Sequence, residues 1–542
     1  SFEAAGLGFK GGGYAMGVYS KYKVQPAYSK PPVVEEVEPE TEKEALAQAK
    51  SPRKAKFKVI KPKEVAPEEQ QPVVDEKLLS KKEVLAIDKE ANKRDSTYWA
   101  SVRPVPLTQE EVRDYTKKDS MEVIKNSQAY KDSIDHIRNK PSIGNFFMRG
   151  YTYYNTYERK RYSFDPVLGL TGGSSILQYN TVEGVVADVR MAYIKSFEDR
   201  RAYAIEPTVR YGFANGKLNG KLRLSYSYDP FKNSNIQVEG GRYVYQINNL
   251  NPISPFVNTI YTLVREKNYM KLYQRDFAQV SWRTELLNGL NLSTNVNYAQ
   301  RIPLHNSTDF SFRDSNGENE SRFTPNVPVN DELADPSFST HEALTLSAAL
   351  SFKPGMKYIS HPDDKINIGS KYPRFTLSYR GSIKALGGDV KYNLANLTIS
   401  DNVSFGLFGA SEYNVTTGTF WGKEDMRLMD YKHFNGNRTI FAGAYNGFQL
   451  LDYYRYSTNN KYLEGHFEHH FNGFLFNKVP LFRKLKWQEV VSLNYLNTKE
   501  SRNYLELGLG IEHIFKIVRV DFVTSFQEGN KARTGFLIGI GF

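Results

Sequence analysis

Glu464, His466, Glu468 and His470 alternate along 461–471, with Leu463, Gly465, Phe467, His469 and Phe471 at the positions between them. On an extended strand, residues two apart share a face and stand about 6.5–7 Å from each other. Imidazole and carboxylate at that spacing offer ligands to zinc or another transition metal, provided a neighbouring element adds one more. A hydrated polar stripe facing a barrel lumen and bonded to an inserted segment uses the same residues, and polar lumen faces favour it. No metal or other cofactor is therefore expected. Catalytic signatures are absent too: neither G-x-S-x-G nor H-E-x-x-H occurs, and the chain has no cysteine, which excludes thiol chemistry, disulfides and cysteine-based zinc sites. Gly6, Gly8 and Gly11 spell G-x-G-x-x-G, but no strand precedes them and no βαβ pattern follows. Gly212–Lys217 resembles a phosphate loop one residue short, without Ser or Thr after the lysine. An enzyme is not expected.

The elements that must hold such a stripe are strands. From about residue 145 onward, segments of period two recur between polar or Gly-rich turns. Leu290, Leu292, Thr294, Val296 and Tyr298 oppose Asn291, Ser293, Asn295 and Asn297. Further strands are predicted over 183–196, 202–213, 218–228, 236–247, 274–286, 343–353, 374–385, 389–399, 402–415, 461–471 and 487–496, and two more run through Leu505–Ile511 and Val518–Phe526. The last stretch reads A-R-T-G-F-L-I-G-I-G-F, with Phe536, Ile538, Ile540 and Phe542 on one face and Gly535, Leu537, Gly539 and Gly541 on the other. An apolar face backed by small residues, ending on Phe, suits the closing strand of a transmembrane barrel, and the glycines predict a weakly packed seam. Mean hydropathy is −0.55, and no apolar run approaches the ~18–20 residues of a membrane helix. Aromatic residues make up 14% of the chain, as interface girdles require, and Tyr151–Tyr162 is expected to anchor the first strand there. These signals predict an all-β fold, a transmembrane antiparallel β-barrel of about 16 strands (alternatively 14), in an outer membrane.

Ahead of the barrel (145–542) the chain divides into a strand-rich fragment over 1–30, a Pro/Glu/Lys-rich flexible linker over 31–80 and a helical segment over 81–144. Thr108 and Glu111 form a capping box after Pro104 and Pro106, and Val112, Tyr115, Ile124, Tyr130, Ile134 and Ile137 give the helix an apolar face. This small N-terminal region is placed in the periplasm. The net charge of +12 is dispersed along the chain, which argues against nucleic acid as a partner. Expected partners are outer-membrane lipid and lipopolysaccharide, with other outer-membrane or periplasmic proteins docking on 81–144.

Several runs carry a family resemblance. Asp95-Ser96-Thr97-Tyr98-Trp99, Arg103-Pro104-Val105-Pro106-Leu107-Thr108, Asn180-Thr181-Val182-Glu183-Gly184 and Arg210-Tyr211-Gly212-Phe213 resemble an uncharacterised outer-membrane family of Bacteroidota. Lys267-Asn268-Tyr269-Met270-Lys271-Leu272-Tyr273 and Glu468-His469-His470-Phe471-Asn472-Gly473 extend the match over roughly 95–542. Members often carry a carboxypeptidase-like regulatory domain at the front, which this sequence does not show. The resemblance implies a location and a fold without an assigned chemistry. In layout, the long segment from Trp421 to Tyr456 followed by five strands is similar to the BamA–TamA superfamily of assembly barrels. That likeness implies a segment folded into the lumen and fixed to the wall, where His433, Gly436 and Arg438 stand in place of an Arg-Gly-aromatic motif. The expected role is outer-membrane biogenesis or assembly by a barrel occluded by its own 421–456 segment. A porin or substrate-specific channel, or a structural accessory subunit, are the alternatives.

Overall fold

The computed structural model describes residues 2–6, 9–13, 83–87, 96–103, 106–169, 175–313, 323–361 and 363–540. The chain forms two compact units, Ser1–Glu76 with Arg94–Val112, and Lys77–Lys93 with Arg113–Phe542. In the first, Phe2–Gly6 pairs antiparallel with Phe9–Gly13, and a short helix spans Ser96–Val102. The expected capping box is present: Thr108 N donates to Glu111 Oε2 at 2.8 Å and Glu111 N to Thr108 Oγ1 at 3.3 Å. The helix it opens, Gln109–Asn126, ends at Ser127, which caps a second helix, Gln128–Arg138. The linker expected over 31–80 lies outside the described residues.

The second unit is a closed antiparallel β-barrel. Eighteen strand segments make up the ring. Lys160–Phe164 and Leu177–Asn180 pair with opposite ends of the same strand, Gly184–Ser196, and so share one interrupted position. Tyr151–Asn155 is a five-residue strand hydrogen-bonded in register to Lys160–Phe164. Fifteen full-height strands complete the ring, so that with the interrupted position the count comes close to the 16 expected. Outward positions carry Val209, Leu222, Val238, Val280, Val296, Leu350 and Leu377, all exposed, while the alternate positions turn inward with Ser, Asn, Gln and charged residues. An outer surface this apolar around a polar interior is the signature of strands that cross a membrane. No helix among the described residues is long and apolar enough to do so.

Short turns at 197–201, 230–233, 288–289 and 515–517 join strands at one end, which also carries the connections 353–373 and 471–487, whereas the longest connections, 247–271, 304–340 and 425–461, lie at the other. At the short-turn end, Tyr153, Tyr162, Tyr193 and Tyr203 form a row of ring contacts with centroids 5.0–6.2 Å apart. The same end carries a small sheet in which Glu83–Ala86 adds in parallel to Lys357–His361, itself paired with Asp364–Gly369.

Two expectations need correction. The strands read as 389–399 and 402–415 are Lys391–Ser404 and Ala410–Glu424. The polar run Ser400–Asn402 resembles a turn, but Asp401 pairs with Lys353 at 3.0 Å and Asn402 with Glu412 at 2.6 Å, holding the run inside the strand. The next strand, Ala410–Glu424, runs through Trp421, so the inserted segment covers 425–461. A helix at Pro255–Arg265, not anticipated, starts with Ser254 as N-cap and Pro at its first position.

Candidate functional site

The 425–461 segment, called the plug below, folds back into the barrel because its aromatic and aliphatic residues have two apolar nests there. Leu428, Met429, Tyr431, Tyr453 and Tyr454 pack with Ile247, Ile253, Met270 and Leu272 from the long connection before strand Leu272–Leu287 and from its start. Phe434, Phe448, Leu451 and Tyr456 pack on Tyr392, Leu394, Phe420, Leu496 and Tyr504 of the wall. Burying a large apolar side chain contributes about 1.5–3 kcal/mol, so these nests supply most of the docking energy, while polar anchors fix its register.

Those anchors come from around the ring. Arg301 Nη1 donates to Asp430 Oδ1 at 2.7 Å, with both side chains buried. Arg380 Nη2 donates to the carbonyls of Asp430 and Tyr431 at 2.7 and 3.2 Å. Lys432 Nζ meets Glu464 Oε2 at 2.8 Å. Glu506, fully buried, accepts the backbone N–H groups of Gln449 and Leu450 at 2.6 and 2.8 Å. On the closing strand Asn530–Ile540, Arg533 Nη1 donates to the Leu450 carbonyl at 3.3 Å. The plug also joins that strand through its backbone. Ala442 N donates to the Ile538 carbonyl at 2.9 Å and Ile538 N to the Ile440 carbonyl at 2.8 Å, a parallel bridge at Phe441. Gly535 makes room for this arrangement, since a Cβ there would stand 2.9 Å from Leu450 Cδ2.

The residues singled out in the sequence fall into this picture unevenly. His433 is buried, with Nδ1 2.8 Å from Ser457 Oγ and its ring edge-on to Tyr454. Burial first, then the charges of Arg380 and Lys432, hold its pKa down to about 3, so the ring stays neutral. Gly436 lies so close to the neighbouring chain that a Cβ would sit 2.5 Å from the Leu451 carbonyl oxygen. Arg438 pairs with Asp452 inside the plug, where the layout likeness implies a bond to the wall. Phe536 and Ile538 face outward and are exposed. Ile540 ends the strand and pairs with Val518, and Phe542 lies beyond the described residues.

Glu464, His466, Glu468 and His470 do share the lumen face, and their ligand atoms are engaged by protein groups. His466 bonds Glu464 at 3.2 Å and Asn494 at 2.8 Å. Glu468 binds Arg519 through both oxygens at 2.9 and 2.7 Å, and His470 lies between Glu468 and Glu512 at 2.9 and 3.0 Å. Among the described residues no group of three or more His, Asp or Glu has the arrangement to hold a metal ion. Asp430, Arg301, Arg380 and Glu506 were not visible as site residues in the sequence, because each acts on a partner far along the chain.

A barrel of eighteen strand segments closed by its own inserted segment defines a membrane-spanning, self-plugged β-barrel. The chain belongs to the family of unknown function DUF5686, whose C-terminal domain matches residues 144–511. No curated protein matches it in sequence. Among solved structures it is similar to BamA from Haemophilus ducreyi lacking POTRA domains 1–3, at 11% identity and TM-score 0.37, over 75% of this chain and 76% of that one. CdiB from Acinetobacter baumannii gives 10% identity and TM-score 0.32, over 67% and 58%. A mutant porin of Rh. blastica gives 10% and 0.26, over 67% and 94%.

Proposed function

We propose that this protein is an outer-membrane β-barrel acting in outer-membrane biogenesis or assembly, with its lumen occluded by the plug and its N-terminal region in the periplasm. The observation that carries this reading is the parallel bridge between the plug and the closing strand at Phe441 and Ile538. A segment that only blocked a pore would need wall contacts, whereas one paired to the closing strand links the state of the lumen to the state of the seam. Short turns at one end and the longest connections at the other support placing the Glu83–Ala86 end in the periplasm, and the tyrosine row supports a membrane interface there. Residues 81–144 are the docking platform for partner proteins in this reading, and lipid with lipopolysaccharide surrounds the barrel.

The test exploits the absence of native cysteine. Phe441→Cys with Ile538→Cys places two thiols on bridge-paired positions, within the span a disulfide tolerates. In the native host, oxidation of that pair is expected to deplete other outer-membrane barrels or surface proteins, and reduction to restore them. An unchanged outer-membrane proteome with the plug locked would overturn the proposal. The channel reading is favoured by one feature, a cavity of about 690 Å³ between plug and wall. Loss of a single solute phenotype under the lock would support it instead.

A further inference from the structure

The wall of that cavity is a continuous surface written by strand register. Across the six strands from Ser234–Gln246 to Lys391–Ser404, one inward row runs Asn235, Arg283, Ser293, Ala349, Ser378, Asn396. The adjacent inward row reads Gln-Ser-Asn-Ser-Arg-Leu, from Gln237 through Arg380 to Leu394. All twelve line the cavity, which Asn248, Asn249 and Leu250 of the 247–271 connection and Tyr431, Lys432 and His433 of the plug also line. The lining holds amides, hydroxyls and three full cations, and no carboxylate.

That composition is unusual within this lumen. Most other inward cations meet acids, as Arg223 does Glu239, Arg301 Asp430, Arg519 Glu468 and Asp521, and Arg210 Glu183 and Asp188, while Arg275 stands over the rings of Tyr245 and Phe277. Lys432, the third cation of the lining, is likewise matched by Glu464. Arg283 makes no ion pair or hydrogen bond with any described residue and is exposed inside the barrel. Arg380 bonds only carbonyl oxygens, and its Nε is buried without an acceptor. Two guanidinium groups thus bring positive charge to the cavity without a carboxylate to neutralise it. They stand three strands and one two-residue step apart, roughly 16 Å along the wall. That spacing suits a ligand one or two sugar rings long better than a single small anion clamped by both.

We infer that this cavity binds an anionic saccharide, its phosphate or carboxylate held by Arg283 at one end and its hydroxyls by the Ser, Asn and Gln rows toward Arg380 at the other. Guanidinium is the side chain suited to bidentate recognition of such groups, and hydroxyl–amide networks fix ring orientation. The cavity volume of about 690 Å³ falls in the range of small-molecule sites. The site is complete with the plug docked, so its occupancy does not depend on plug release or on a role in assembly.

The test is calorimetric titration of the full chain in detergent with glucose 6-phosphate, glucose and inorganic phosphate. A second arm uses purified lipopolysaccharide, whose phosphorylated sugars offer the same chemistry on a lipid. Glucose 6-phosphate is expected to bind at least tenfold more tightly than either half alone, and Arg283→Gln to weaken it about tenfold, the scale of one charge-assisted contact. Arg283 has no protein partner to lose, and Arg502→Gln, a charge removed at an exposed turn, should leave binding unchanged. Binding of lipopolysaccharide alone, again lost in Arg283→Gln, would assign the site to a lipid-borne saccharide. Binding of neither, or affinity equal to that of inorganic phosphate, would overturn the inference.

Discussion

His433 shows how one side chain can make plug docking depend on pH. Its pKa is held near 3 in the docked state, against an ordinary value of 6.5. A released plug would take up a proton near pH 6.5, and the docked plug would not. Docking is therefore strongest above about pH 6.5 and weakens as the pH falls from there toward 3, by about 1.4 kcal/mol per unit for this group. Protease cleavage within 425–461 of the native protein is expected to rise steeply between pH 6.5 and 4.5. His433→Gln, which carries no titrating ring, should flatten that rise, and an identical pH profile in the variant would refute the assignment. His433 was visible in the sequence because it sits in a long segment between strands. What surrounds it was not, since Arg380 comes from a wall strand and Ser457 from the far end of the same segment.

At the level of elements, the plug is held by wall strands through partners distant in sequence, the clearest being Arg301 and Asp430, 129 residues apart. Removing one member of a buried ion pair leaves an uncompensated charge and costs about 3–5 kcal/mol. Asp430→Asn is therefore expected to loosen the plug by about that amount. The readout is faster hydrogen exchange over 428–456, with the strands unchanged. Replacing both residues by Met and Leu should recover much of the loss, because an apolar pair needs no charge compensation. If exchange in the plug stays at the native rate in Asp430→Asn, the pair is not an anchor. The strands themselves were legible, because alternation such as Leu290 to Tyr298 is written directly in residue order. Period two says which residues turn inward; it does not say which inward residue meets the plug. That is why the alternating Glu464–His470 run suggested metal ligands, when Lys432, Asn494, Arg519 and Glu512 engage its atoms. Helix Pro255–Arg265 could have been found from its Ser-Pro start, and the end of strand Lys391–Ser404 was obscured by the polar, turn-like run Ser400–Asn402.

For the whole molecule, the balance between apolar nests and wall anchors predicts a barrel that survives without its plug. Excising 432–456 with a short Gly-Ser replacement exposes Glu464 and Glu506 to lumen water, which solvates them, and leaves the strand ladders intact. In planar bilayers the intact protein is expected to open rarely and the excised form to give steady large conductance. Steady conductance from the intact protein would contradict an occluded lumen.

The parallel addition of Glu83–Ala86 to the hairpin 357–369 has a mechanical side. That hairpin sits in the connection between strands His341–Phe352 and Arg374–Ile383, well around the circumference from the closing strand. Tension arriving along the chain from upstream of residue 83 would be borne there, as shear on a short parallel ladder, before any of it reached Tyr151. The barrel thus has a handle set apart from its seam, and a pull from the N-terminal side would load the rim while sparing the joint between its first and last strands.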